Sequence, residues 1–169
     1  AFRRQGANHF WLQYLRGTAA WRGSIVLKQR LTDYLFESDL QGVGSTLPAP
    51  LAKATADVVP ARFERRALGP DADRMELAFG QEITGAIERR RQGGELTPAR
   101  GVLALNAPVT LPESGLAIVG STRAVNLSRW QTVIDQAPPG DASLPLSEID
   151  VSVGALQWVR RPFHDLRVK

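Results

Sequence analysis

The chain has 169 residues, 43% of them hydrophobic and 22% charged, and it contains no cysteine. That is enough apolar material for one buried core, and it excludes a disordered chain, a collagen-like repeat, a disulfide scaffold and any thiol chemistry. Of 21 basic residues only Lys28, Lys53 and Lys169 are lysine, and 17 acids interleave with the rest to leave +4, too dispersed for a nucleic-acid face.

In chain order, the aromatic cluster Phe10 to Arg16 predicts a short helix near residues 8–16, with Gly17 at its C-cap. Ser24-Ile25-Val26-Leu27 is β-prone, and Asp33 to Gln41 alternates, with Tyr34, Phe36, Ser38 and Leu40 on one side. Gly42, Gly44 and Leu47-Pro48-Ala49-Pro50 end that strand. Val59 to Leu68 follows, then a turn at Gly69-Pro70-Asp71. Met75, Leu77 and Phe79 alternate with Arg74, Glu76 and Ala78, and Ile83 and Ile87 continue the same phase.

Gln92-Gly93-Gly94 predicts a hairpin onto Arg100 to Asn106. Leu111 to Gly115 is a turn before a strand at Leu116 to Gly120. Ser128 to Gln136 predicts a helix capped by Ser128, with Trp130, Val133 and Ile134 on one side. Ile149 to Val153, Ala155 to Val159 and Arg160 to Val168 read as closing strands. Eight to ten short strands with turn signals between them, and no alternation of strand with helix, predict a mainly β fold. Its form is a curved antiparallel sheet, open or groove-like, with one or two short helices; a closed β-sandwich serving as a protein-interaction or scaffold module is the alternative.

Reactive groups do not assemble into a motif. The bases are His9 and His164; neighbours on a strand face opposite ways, so His164 and Asp165 do not pair as base and orienting carboxylate. No metal-ligand spacing, phosphate loop or dinucleotide fingerprint occurs, and neither a catalytic residue, a metal nor a cofactor is expected. Asp71-x-Asp73 lacks the rest of a calcium loop and reads as a solvated turn. Glu88-Arg89-Arg90-Arg91 reads as a solvated hairpin end, and the four dispersed tryptophans read as packing anchors.

What does form a pattern is apolar residues at a period of two. Tyr34, Phe36, Leu40, Met75, Leu77, Phe79, Ile83, Ile87, Ile149, Val151 and Val153 each lie on one face of a strand. They are the candidate lining of an apolar groove; a filled core makes the same pattern.

Several segments together resemble the YhdP branch of the AsmA-like proteins of Gram-negative bacteria. Tyr14-Leu15-Arg16-Gly17 precedes Trp21-Arg22-Gly23, and Ser38-Asp39-Leu40-Gln41-Gly42 leads into Leu47-Pro48-Ala49-Pro50-Leu51-Ala52-Lys53. Leu111-Pro112-Glu113-Ser114-Gly115-Leu116 is followed by Gly120, Leu127 and Trp130, and Ile149-Asp150-Val151 by Phe163-His164-Asp165-Leu166. The family pattern is broken at Asn106-Ala107-Pro108 and at Arg160-Arg161-Pro162, where glycine turns are expected. The resemblance implies one β-rich domain over residues 1–169, an interior piece of a longer, repeat-like β structure. It implies a periplasmic parent anchored in the inner membrane and engaged in phospholipid transport to the outer membrane and in envelope integrity. No enzyme activity comes with it. The implied partners are phospholipid acyl chains and the flanking segments of the same parent chain, with no nucleic acid and no membrane-spanning segment in this piece.

Overall fold

The computed structural model describes residues 9–28, 31–137, 144–158 and 161–169. A 3-10 helix, His9–Tyr14, runs into β1 (Leu15–Gly17), β2 (Trp21–Lys28), β3 (Leu31–Ser38) and β4 (Val43–Ser45). After a long connection come β5 (Ala61–Gly69), β6 (Ala72–Phe79), β7 (Ile83–Gln92), β8 (Glu95–Leu105) and β9 (Gly115–Asn126). Helix α1 (Leu127–Asp135), β10 (Leu146–Trp158) and β11 (Arg161–Val168) complete the chain.

Nine strands form one sheet in the order β11-β10-β9-β8-β7-β6-β5-β3-β2, and β1 pairs with β4 in a separate small sheet. The outer strands β2 and β11 do not meet, so the large sheet is open. That overturns the closed-sandwich alternative, because a single layer has no facing sheet to fill its interior.

Six of the eight pairings are antiparallel, several of them closed by tight turns. The Gly93-Gly94 turn supplies the two positive φ values (60° and 94°) that a two-residue hairpin needs. The pairings of β8 with β9 and of β9 with β10 are parallel, which the period-two pattern alone does not reveal. Parallel neighbours need a connection that returns the chain to the same end. Residues 106–114 make the first return, and the segment containing α1 makes the second.

The helices differ from expectation in detail. The first is a 3-10 turn, and Gly17 does not cap it; Gly17 lies in β1 opposite Val43 at φ 97°, where a Cβ would strike the Gly42 carbonyl. The second is capped by Asn126, not Ser128. The strand β9 runs up to Asn126, whose extended backbone aims Oδ1 at the Arg129 N–H, 2.9 Å away. The two expected strands either side of Gly154 are the single β10, and there a Cβ would come within 2.9 Å of the Arg123 carbonyl. At the departure from the family pattern, Asn106 takes φ 48°, the left-handed conformation that asparagine tolerates in place of glycine. Arg160, at the other departure, lies outside the described residues.

Register assigns every strand residue to one of two faces. On one face a row runs Phe36, Phe63, Leu77, Gly85, Leu103, Ile118, Ile149. The row beside it, toward one set of strand ends, runs Ile25, Tyr34, Arg65, Met75, Ile87, Gly101, Leu116. Toward the other ends lie Trp21, Ser38, Ala61, Phe79, Ile83, Leu105, Gly120, Val151. The opposite face is charged over β2 to β8. There Glu37 accepts from Arg22 and Arg62, Glu64 from Arg62 and Arg66, and Glu88 from Arg90 and Arg100.

Two clusters hold the sheet rigid. On the charged face the connection 106–114 lays Val109 and Leu111 over the buried row Ala86, Val102, Ala117. On the apolar face Leu51 packs against the cluster of Ile83, Leu105, Val151 and Val153. The segment carrying Leu51 is fixed by Lys53, which is buried and donates from Nζ to the Val43 and Ala54 carbonyls at 2.8 and 3.1 Å. It is fixed further by Trp130 Nε1, which donates to the Ala49 carbonyl at 2.8 Å and ties the segment to α1. Trp130 is thus an anchor, whereas Trp11, Trp21 and Trp158 are exposed.

Candidate functional site: an apolar wall half covered by its own chain

Ten of the eleven candidate lining residues share one face of the large sheet. Phe36 is opposite Phe63, Phe63 opposite Leu77, Met75 opposite Ile87, and Phe79 opposite Ile83. Ile149 is opposite Ile118, with Val151 and Val153 two and four positions along β10. Tyr34 lies opposite Ile25 and Arg65.

Leu40 is the exception. The strand β3 stops at Ser38, whose Oγ accepts from the Leu40 N–H at 3.0 Å, while Asp39 Oδ1 accepts from the Gln41 N–H. Leu40 then sits in a turn at φ 49°, outside the wall. Short polar side chains offering the backbone a local partner compete with the ladder here, and the alternation continues past the strand.

The ten are not equivalent. Ile83, Val151 and Val153 are 6–8% exposed beneath Leu51 and belong to the core. On the same side of the sheet, the Leu144 side chain lies against Gly101. Across β2 and β6 the wall is bare: Trp21, Ile25, Leu27 and Leu77 are 53–74% exposed. Between them Tyr34, Phe36, Phe63 and Met75 are half-buried. Their rings form a row, with Trp21 edge-on to Phe36 at 5.4 Å, Phe36 to Tyr34 at 5.7 Å and Tyr34 to Phe63 at 6.0 Å. Gly23 makes room for it, because a Cβ there would come within 2.7 Å of the Phe36 ring.

Trp21, Ile25, Leu27 and Phe63 also belong to the wall, although the sequence pattern alone does not mark them. In β2 the run Ile25-Val26-Leu27 is apolar at successive positions, so phase is ambiguous until pairing with β3 sorts it. In β5 Phe63 is flanked by charge, and one large apolar residue does not establish a period.

A polar cluster interrupts the wall near one set of strand ends. Asp73 is wholly buried, which corrects the reading of Asp71-x-Asp73 as a solvated turn. Arg89 donates to it from Nε (2.8 Å) and Nη2 (2.6 Å), and Arg65 from Nε (2.6 Å). Arg65 also donates from Nη1 to the Thr32 carbonyl at 2.6 Å, and its guanidinium lies over the Tyr34 ring, 5.6 Å from the centroid. Burial pushes the Asp73 carboxyl up, but the hydrogen bonds from Arg89 and Arg65 outweigh it and hold the group below its ordinary value. Arg89, read as part of a solvated hairpin end, is therefore tied inward. The signal was in the phase: residues 65, 73 and 89 share it with Phe63, Met75 and Ile87.

His164 is exposed and lies opposite Ala155 on the edge strand, next to Asp165 at φ 52°. A pocket of about 660 Å³ sits at the rim of the wall, where Trp21, Ser38 and Ala61 of the apolar face meet Arg22, Glu37 and Arg62 of the other. Among the described residues no helix is long and apolar enough to cross a membrane, and no three acids or histidines converge as a metal site.

The fold and the site define a protein whose distinguishing surface is the apolar face of an open β-sheet, with ion pairs on the opposite side. The family model described as YhdP protein matches residues 2–169, and the chain belongs to the YhdP family. No curated protein and no solved structure matches the chain.

Proposed function

We propose that this chain is a non-enzymatic segment of a periplasmic protein, anchored in the inner membrane, that moves phospholipid toward the outer membrane and so maintains the envelope. Its contribution is the bare part of the wall, which holds acyl chains. A chain leaving a bilayer exposes methylenes to water at about 0.8 kcal/mol each, so its route needs apolar lining throughout. The observation that carries this reading is the apolar face, exposed or half-exposed over β2, β3, β5 and β6 although the same face is buried at Ile83, Leu105, Val151 and Val153. An exposed apolar patch of this extent, on a sheet whose other face carries ion pairs across β2 to β8, marks a binding surface. The edges β2 and β11, each paired on one side only, are where flanking segments of the same parent chain would extend the wall.

The test is photocrosslinking in Gram-negative cells. Photoreactive residues at Leu77 and Phe63 are expected to capture phospholipid, and those at Glu76 and Arg62, one position along the same strands, are not. Equal capture from both faces, or capture of protein alone from Leu77 and Phe63, overturns the proposal.

A further inference from the structure

We infer that Arg65 and Arg89 form a phosphate-binding subsite at the rim of the wall, taking a phosphate-bearing anion whose hydrocarbon lies on the neighbouring apolar rows. The inference rests on the proposed acyl-chain reading for the second half of that statement, but the anion site has its own support.

Charge is the first support. One carboxylate, Asp73, faces two guanidiniums, so the cluster carries a surplus positive charge beside the apolar rows. Burying ions is no route to stability, since an apolar trio of similar volume does as well or better. The second support is unused hydrogen-bonding capacity. Among the described residues the bonds employ Nε and Nη1 of Arg65 and Nε and Nη2 of Arg89. That leaves Nη2 of Arg65 and Nη1 of Arg89, and the side chains are 18% and 25% exposed, enough to be reached. Asp73 fixes both guanidiniums in place, so their planar donors are oriented before an anion arrives.

Position is the third. Asp73 and Leu77 are four residues apart on β6, about 13 Å at the rise of a strand. A molecule with its hydrocarbon on Phe63 and Leu77 therefore has its polar end within reach of the arginines. The apolar rows supply no other cation on this face between Arg65 and Leu77. A phosphodiester, with a single negative charge, matches the surplus.

The experiment is a titration of the full chain followed by the Nε–H resonances of Arg65 and Arg89. Three probes are used: dihexanoylphosphatidylglycerol below its micelle concentration, dihexanoylglycerol with the same chains and no phosphate, and inorganic phosphate. The phosphatidyl compound is expected to shift both resonances and to bind about tenfold more tightly than the phosphate-free lipid, as one charge-assisted hydrogen bond provides. Arg65→Gln and Arg89→Gln are expected to abolish that advantage, bringing the two lipids to equal affinity. Equal affinity for the two lipids, or an advantage that survives both substitutions, overturns the subsite and leaves the wall standing. If dihexanoylglycerol does not bind at all, the acyl-chain reading fails; a response of both arginines to inorganic phosphate then still supports the subsite, with free anion as its source, and no response overturns it. Should a Gln variant lose its amide dispersion, the resonances of the unsubstituted chain decide.

Discussion

Replacing Asp73 by Asn tests whether the buried carboxylate organises the rim of the wall. Asn keeps the shape but offers one acceptor oxygen where three N–H groups now converge at 2.6–2.8 Å, and it turns an amide N–H₂ toward guanidinium donors. Breaking a fully buried ion pair costs about 3–5 kcal/mol. Here Asp73 is wholly buried but the arginine side chains are 18% and 25% exposed, so water recovers part of the loss. The expected destabilisation is about 2–3 kcal/mol, well above the roughly 0–1 kcal/mol of a surface pair. Urea unfolding, with a shifted midpoint and unchanged slope, measures it. The dependence on pH gives an independent check. The folded-state carboxyl titrates below its unfolded value, so its contribution is complete above about pH 3.9 and is lost as pH falls through the folded value. The Asn variant should lack that part of the acid-induced decline. A loss below about 1 kcal/mol, in the range of a surface pair, refutes the argument.

The division of the wall into covered and bare parts predicts unequal responses to one kind of substitution. Ile83→Ala should cost about 2–4 kcal/mol because Ile83 is buried beneath Leu51, whereas Leu77→Ala, at a half-exposed position, should cost under about 1 kcal/mol; both are read by urea unfolding. Gly23→Ala should push the Phe36 ring away from β2, destabilising the chain by roughly 1 kcal/mol and shifting the Trp21 indole resonance, since Trp21 packs edge-on against that ring.

The charged face explains how such a wall remains on a folded chain. Glu64 is held below the ordinary carboxylate range by the hydrogen bonds from Arg62 and Arg66, and Glu88 by those from Arg100 and Arg90. Across strands Glu37 lies opposite Arg62, and Glu88 opposite Arg74 and Arg100, while Arg62 and Arg66 reach Glu64 from two positions away on the same strand. A slip of one residue would place the arginines and glutamates on the apolar side, so the two faces enforce one pairing between them.

Period two is a property of neighbouring residues, and the sequence alone therefore determined that the protein is a β-sheet with an apolar phase and a charged phase. It placed most strands and the Gly93-Gly94 and Pro70-Asp71 turns, put ten of the eleven candidate lining residues on one face of the sheet, and carried the family pattern. What the chain order could not contain is which residues of that phase remain open. Leu51 packs against a cluster that reaches from Ile83 to Val153, 32 and 102 positions away in sequence, and only tertiary packing brings it there. The parallel placement of β8, β9 and β10 depends likewise on two long returns of the chain, not on anything within a strand. Arg65, Asp73 and Arg89 come from three strands and meet through ladder register, so their joint charge exists only once β5, β6 and β7 are paired. Alternation is set by bond geometry along the backbone; cover and charge pairing are set by contacts between segments distant in the chain.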